Sequence, residues 1–551
     1  MATTAILGIG VVALHLWWIA THRDLGAYNV DEAGYMATAL RFHRSIDPAH
    51  PAELVRAVFT ASNTGPLVPV LALPGLVVGQ RTILWVSLVQ PLLAVGTAVA
   101  AAGLTTRLSS RAAGLVAGVV ALGLPALINS ARNFQYATGT AMFLLLALWA
   151  VLASERGEHR WRMVLFGAAT GAMLLTRTMS IGFVPGLGVA ALLQLRWSRR
   201  TVANLAIAAG VAVLVAGPWW FVSRDALYDY LFRFGYGDMA NTYGPSGLGD
   251  KLDLRLNSLD TDIRSVFLGL GISTWILAAL TALIRRPRIG RELLHHGIVA
   301  SAAVVLVGYG LLLTTSNQGV WFEVPLELVA VCTTVAVGWR LPRRLGTGMA
   351  TAAVAIAIGT LAISLTDTGG PIDGPGARLE VQRLLAGGLD ERERVLGDAD
   401  PLLLSTDRST RERGAGRWWQ TNLAIVDKLE EYRRDDQLWV FTVSGSSHLL
   451  NGQSLLLAEE LTGKGFGPML VPRTDLSDQE LDDALDPIWL GTHRRLLVLM
   501  FPESLPFPED RQVPKLLRMA RERGYRQIDR MELPDGGHVL FLEHPDRPPR
   551  S

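Results

Sequence analysis

Long apolar runs recur through the first two thirds of this 551-residue chain, and they constrain its fold more than any other feature. A helix rises about 1.5 Å per residue, so about 20 apolar residues match a hydrocarbon core about 30 Å thick. About eleven segments qualify as candidate spans: roughly 2–20, 82–104, 112–128, 137–153, 163–176, 178–195, 201–218, 265–284, 297–315, 321–339 and 346–366. The first has no basic n-region and no small-residue cleavage site, so it is expected to be a retained anchor. The chain therefore reads as a polytopic α-helical membrane protein.

The loops orient the spans. Arg107 and Arg111 follow the second run, and Arg156, Arg160 and Arg162 follow the fourth. Arg196, Arg199 and Arg200 follow the sixth. Arg285, Arg286, Arg288 and Arg291 follow the eighth, and Arg340, Arg343 and Arg344 the tenth. Each even-numbered run thus ends in a basic cluster, as the positive-inside rule requires of cytoplasmic loops. The expected location is the cell membrane, with the N-terminus cytoplasmic and the C-terminal portion extracytoplasmic.

Two outer loops are long, at about 21–81 and 219–264. The first contains helix-like stretches at Glu32–Phe42 and Ala52–Ala61. It also holds an apolar run, Pro66–Gly79, short enough to be a re-entrant or interfacial segment. The second is rich in aromatics: Tyr228, Tyr230, Phe232, Phe234, Tyr236 and Tyr243. Long loops beside a rigid bundle are where a membrane enzyme can build a site; the plainer reading is a solvated connector.

Beyond a linker at about 367–378, the pattern changes. Strand-like runs (Leu402–Ser405, Leu438–Val443, Met469–Val471, Leu496–Met500, Val539–Leu542) alternate with helical stretches at Thr421–Tyr432, Gln453–Leu461, Asp478–Leu485 and Val513–Arg523. That alternation predicts a soluble α/β domain over 379–551. Gly445-Ser446-Ser447 follows a strand but reads as an ordinary turn, not a phosphate loop. The domain has no metal-ligand spacing and no nucleophile elbow, so its expected role is acceptor binding or stability. A net charge of +2 does not point to nucleic acid, and the single cysteine, Cys332, leaves no internal disulfide.

Polar residues near the membrane are the chemical candidates. Asn29-Val30-Asp31-Glu32-Ala33-Gly34-Tyr35 sets two adjacent carboxylates at the start of a helix-like stretch. Two readings are open. Asp31 caps the helix with Glu32 beside its positive end, or the pair does chemistry. Arg177 lies between two apolar runs, either snorkelling to headgroups or pairing with a lipid phosphate. Glu323 and Glu327 share a helix face and either line a cavity or lie at the interface. His15 reads as a packed helix residue. Trp17, Trp18, Trp219, Trp220 and Trp321 suit an interfacial belt.

Several segments carry a family resemblance. The Asp31-Glu32 pair beyond the first span resembles the first outer loop of the C-type (GT-C) glycosyltransferases. It is most similar to the branch of protein O-mannosyltransferases and bacterial aminoarabinose transferases. Thr64-Gly65-Pro66-Leu67 resembles that branch's Pro-Pro-Leu stretch, and Pro125 through Tyr136 its second outer loop. Leu175-Thr176-Arg177 resembles its Leu-Thr-Arg turn. Gly217-Pro218-Trp219-Trp220 with Arg224 resembles its Pro-Trp-x-x-x-Arg stretch. The resemblance covers about 1–366 and implies transfer of a sugar from a polyprenyl-phosphate donor to a glycan, lipid or protein acceptor, with inversion. It gives Asp31, with Glu32, the catalytic role. Arg177, then Arg224 and Arg132, fall at outer ends of spans and are the candidates for donor phosphate. The sequence departs from the pattern where Gln135 stands near the family's second-loop acid, which leaves a bridging divalent metal without its second carboxylate. Gln135 remains a cavity-lining candidate. Ser316-Asn317-Gln318-Gly319 also lacks the family's Lys or Arg. Alternative readings are a transporter, which calls for paired repeats absent here, and a non-catalytic assembly or sensor protein.

Overall fold

Helices dominate the chain. The structure is a computed structural model that describes residues 2–22, 30–237, 247–259, 262–285, 296–316, 322–364, 417–432, 440–444, 450–464, 469–470, 495–501, 513–534 and 536–543. The expected linker at 367–378, strand at 402–405, turn at 445–447 and helix at 478–485 lie outside them, as do Asn29 and Trp321. Two compact units emerge. One takes in the described residues within Met1–Thr21, Ser45–Gly75 and Ser87–Val395; the other, those within His22–Arg44, Leu76–Val86 and Leu396–Ser551.

Among its described residues, the first unit is helices and their connecting turns. Five helices among the described residues are long and apolar enough to cross a bilayer: Ile83–Leu108, Arg199–Val222, Val266–Ile284, Gly297–Thr314 and Arg343–Ala362. A sixth forms if Arg111–Leu122 and Pro125–Arg132, bent by 58° at their junction, act as one span. Shorter apolar helices include Gly8–Thr21, Ala137–Ala153, Thr178–Gln194 and Val324–Gly338. The expected span at 163–176 is all but the first three residues of Arg160–Thr176, which starts in its own basic cluster. Leu67–Val78 has 12 residues and an internal Pro74. At about 18 Å it is too short to cross a bilayer.

Local chemistry explains where the helices start. Ser110 and Ser198 each accept a hydrogen bond three residues on, from the N–H groups of Ala113 and Thr201. Small residues explain how closely the helices pack. A Cβ on Gly167 would sit 2.1 Å from the Ala208 carbonyl oxygen, and one on Gly114 2.5 Å from that of Ala102. Apolar side chains gain nothing from leaving lipid, so such backbone approach supplies the packing energy. The second long loop, expected at 219–264, is largely helical where it is described: Arg199–Val222 runs four residues past the expected end, and Arg224–Tyr228 continues through a π turn at Asp229–Arg233.

Among the described residues, the second unit holds a five-stranded sheet in the order β2-β1-β3-β5-β4. The strands are β1 Val440–Ser444, β2 Met469–Leu470, β3 Arg495–Phe501, β4 Arg526–Glu532 and β5 His538–Glu543. β2, β1 and β3 run parallel; β5 is antiparallel to β3 and to β4. Alternation sorts the side chains of the central strands. Leu496, Val498, Met500, Val539 and Phe541 pack with helices Arg417–Tyr432 and Gly452–Thr462. Leu497, Leu499, Leu540 and Leu542 pack with Val513–Glu522. Both faces are covered, which is why β3 and β5 read as unbroken apolar runs. The helix Val30–Arg44 belongs to this unit and packs on Gly452–Thr462.

Candidate functional site

In the helical unit, three of the segments that carry the resemblance meet around Arg177. Helix Arg160–Thr176 stops at Thr176, Arg177 is extended (φ −145°, ψ 134°), and a 3-10 turn begins at Thr178. The chain before Pro66 lies against that stop. A Cβ on Gly65 would fall 2.0 Å from the Leu175 carbonyl oxygen, so only glycine fits. Thr178 Oγ1 donates to the Asn63 carbonyl. The third segment is latched by Trp220 Nε1, which donates to the Leu174 carbonyl at 3.2 Å, and by Ser223 Oγ, which accepts from Ser62 N–H at 3.3 Å.

Arg177 itself is half-buried, with its guanidinium 4.1 Å above the Phe322 ring. Its Nη1 is buried and has no hydrogen-bond partner among the described residues. A buried charged donor left unpaired costs about 1–3 kcal/mol or more, so the hydrogen-bonding capacity of Nη1 is unused among the described residues. A cavity of about 10 Å³, room for one water at most, is lined by Arg177, Thr140, Ser180 and Phe322.

The other arginines differ. Arg132 is 1% exposed and its guanidinium is committed: Nε donates to His15 Nδ1 at 3.3 Å, while Nη1 and Nη2 reach the Ser364 carbonyl and hydroxyl at 2.9 Å. It also stacks on Trp18 at 4.4 Å. That is the pattern of a tie between helices, and it gives His15 a partner the sequence did not suggest. Arg224 is exposed, beside Asp225 and over Phe221. Gln135 is buried. Glu323 is buried at the start of Val324–Gly338, and its carbonyl accepts from the Glu327 N–H. Glu327 lines an apolar cavity of about 590 Å³ together with Phe267, Trp275 and Tyr309; Glu323 is not among its walls. Among the described residues, no three or more His, Cys, Asp or Glu side chains gather.

In the sheet unit, Asp31 and Glu32 both fall in the first turn of Val30–Arg44. Their surroundings separate them: Asp31 is exposed and Glu32 fully buried. Because the helix begins at Val30, Asp31 is inside the first turn, not its cap. There the free N–H groups favour an anionic side chain. Sequence reasoning missed Phe322, Asn63 and the Ser62–Ser223 latch; none stands out by type or spacing.

No protein-family model and no curated protein matches this sequence. Solved structures do match. ArnT from Cupriavidus metallidurans bound to undecaprenyl phosphate aligns over 98% of this chain and 97% of its own, with TM-score 0.57 and 15% identity. The chain is similar in fold to ArnT, an aminoarabinose transferase of the GT-C superfamily. Apo ArnT gives TM-score 0.54 at 14% identity over 98% of both chains. The apo oligosaccharyltransferase of Archaeoglobus fulgidus, also a GT-C protein, gives 0.45 at 12% identity over 89% of this chain and 69% of its own.

Proposed function

We propose that this protein is an integral membrane glycosyltransferase. It moves a sugar from a polyprenyl-phosphate donor to an acceptor on the outer face of the cell membrane, with inversion at the anomeric carbon. The observation that carries this reading is Arg177: a buried guanidinium nitrogen without a partner among the described residues, at the point where three motif segments converge. The ArnT fold supports it. Eleven spans, a cytoplasmic N-terminus and an extracytoplasmic α/β domain after residue 379 complete the proposal.

The chemistry needs little from the protein beyond placement. Outside the cell the sugar arrives on a lipid, because nucleotide sugars are absent there. Arg177 holds the donor phosphate by charge-assisted hydrogen bonds. The acceptor hydroxyl attacks the anomeric carbon as its proton passes to the Asp31 carboxylate. The carbon–phosphate-oxygen bond breaks, and polyprenyl phosphate leaves with the electron pair. A phosphate carries that charge well, so the demand is to bring acceptor and donor together. Glu32, buried behind Asp31, supports the turn. Arg224 is a secondary phosphate contact; Arg132 is spent on His15 and Ser364.

The test is to extract the lipid that copurifies with the protein, identify it, and assay its turnover. A polyprenyl-phosphate sugar that is consumed supports the reading. A protein that copurifies with no such lipid and turns none over is a transporter or scaffold.

A further inference from the structure

The Val30–Arg44 helix is held at both ends by one partner, the helix Gly452–Thr462. Near Asp31 the contact is close: a Cβ on Gly34 would lie 2.7 Å from Gln453 Oε1. At the other end, Glu460 Oε1 accepts from Arg44 Nη2 at 2.8 Å, and Arg41 Nε lies 3.7 Å away. By helical spacing, the small residues Ala33 and Ala37, both buried, fall on the same side of the helix as Gly34, Arg41 and Arg44.

The partner helix is a fixed base. Asn451 and Ser454 close a reciprocal capping box, and Ser454 Oγ donates to Asn422 Oδ1 at 2.7 Å. Gly463 ends the helix in the left-handed region (φ 73°). Leu455 and Ala458 lie in the core under the sheet. Glu460 projects from that base, 2% exposed, and its Oε2 is buried with no hydrogen-bond partner among the described residues.

A buried carboxylate is a poor way to gain stability. An apolar residue of similar volume stabilises such a contact as well or better. What the charge adds is register. An alanine-rich face lets one helix slide or rotate on the other, whereas Arg41 and Arg44, one turn apart, can reach one carboxylate in only one register. We propose that Glu460, through Arg44 and Arg41, is a positioning residue that fixes the helix carrying Asp31. The proposal rests on reading Asp31 as the base. It gives the C-terminal domain a role in catalysis without a catalytic group of its own. Burial pushes the Glu460 carboxyl above the usual range against the pull of Arg44, Arg41 and Arg81, consistent with a group kept for placement.

The helix is roughly 22 Å long, so a small tilt at Glu460 becomes a displacement at Asp31. A misplacement of about 1 Å costs on the order of 10²-fold in rate. The experiment compares Glu460→Leu, Glu460→Gln, Arg44→Ala and Asp31→Asn in the full-length protein. Readouts are kcat, donor affinity and hydrogen exchange. Glu460→Leu and Arg44→Ala are expected to lower kcat on the order of 10²-fold with donor affinity unchanged. Exchange should quicken in 30–44 and not in 417–432. Glu460→Gln keeps an acceptor for Arg44 and should recover most of the rate. Arg44 is partly exposed, so its variant folds even if Glu460→Leu does not. Wild-type kcat in Arg44→Ala or Glu460→Leu, with Asp31→Asn inactive, overturns the positioning role. So does a loss in which exchange quickens equally across the whole unit. Normal turnover by Asp31→Asn overturns the base reading instead, and the positioning role with it.

Discussion

Replacing Arg177 by alanine separates a functional arginine from a structural one, because the two predict opposite changes in stability. The guanidinium carries a buried Nη1 with no partner among the described residues and a stack on Phe322 at 4.1 Å. Removing it relieves an unpaired donor, worth about 1–3 kcal/mol, and loses a cation–π contact of about 0.5–2 kcal/mol. The lipid-free protein should therefore be as stable as wild type or slightly more so. With donor present, the lost charge-assisted hydrogen bond is worth about 1.5–3 kcal/mol. That corresponds to donor binding weaker by roughly 10- to 150-fold. Arg177→Lys keeps the charge without the planar fork and should weaken binding about tenfold. The assay pairs equilibrium binding of polyprenyl phosphate in detergent with thermal unfolding in its absence. An unchanged donor Kd in Arg177→Ala, or a clear fall in the unfolding midpoint without lipid, refutes the reasoning.

Three further outcomes follow from particular residues. Gly65→Ala drives a Cβ into the Leu175 carbonyl; it should cost about 1–3 kcal/mol, seen as a lower unfolding midpoint and weaker donor binding. Gly182→Ala, whose Cβ meets nothing within 4 Å, serves as the control. In a Cys332-free background, cysteines near Arg160 and Arg288 should be protected from an impermeant thiol reagent in intact cells and one near Asp510 labelled; the reverse pattern overturns the threading. Hydrogen bonds from Lys428 and Tyr432 hold the Asp529 carboxyl below its ordinary range. Its stabilising effect is therefore present above the unfolded value of about 3.9 and is lost as pH falls through the lower folded value. Asp529→Asn should loosen hydrogen-exchange protection of 526–532 at neutral pH and converge with wild type in strong acid.

Legibility in the sequence followed the physics of each element. Val89–Leu108 and Arg343–Ile363 announce themselves by apolar length, and β3 and β5 by runs that are apolar on both faces. β4 gave no such signal, because among the described residues it is an edge strand paired only to β5 and most of its side chains face solvent. Arg177 drew attention as a charge between two apolar runs. Arg132 did too, yet its partners His15 and Ser364 lie 117 and 232 residues away, and nothing local reveals that its donors are spent. The same distance hid the Arg44–Glu460 pair, 416 residues apart. As a result, Asp31 was legible as a residue, while its helix's attachment to the C-terminal unit was not. The adjacent acids Asp31 and Glu32 look interchangeable in one dimension. One helical turn exposes the first and buries the second.

The most direct test of sugar transfer from a lipid phosphate is a single-turnover assay of purified wild-type and Asp31→Asn protein on a labelled polyprenyl-phosphate sugar. Asn keeps the shape of Asp31 and removes only the base. Wild type should move label from the lipid to an acceptor, while Asp31→Asn should bind the same lipid with the same affinity and transfer none. Transfer by Asp31→Asn together with an inactive Glu32→Gln would reassign the base to Glu32. Transfer at the wild-type rate by both variants, or no reaction of the lipid with wild type, would contradict the account.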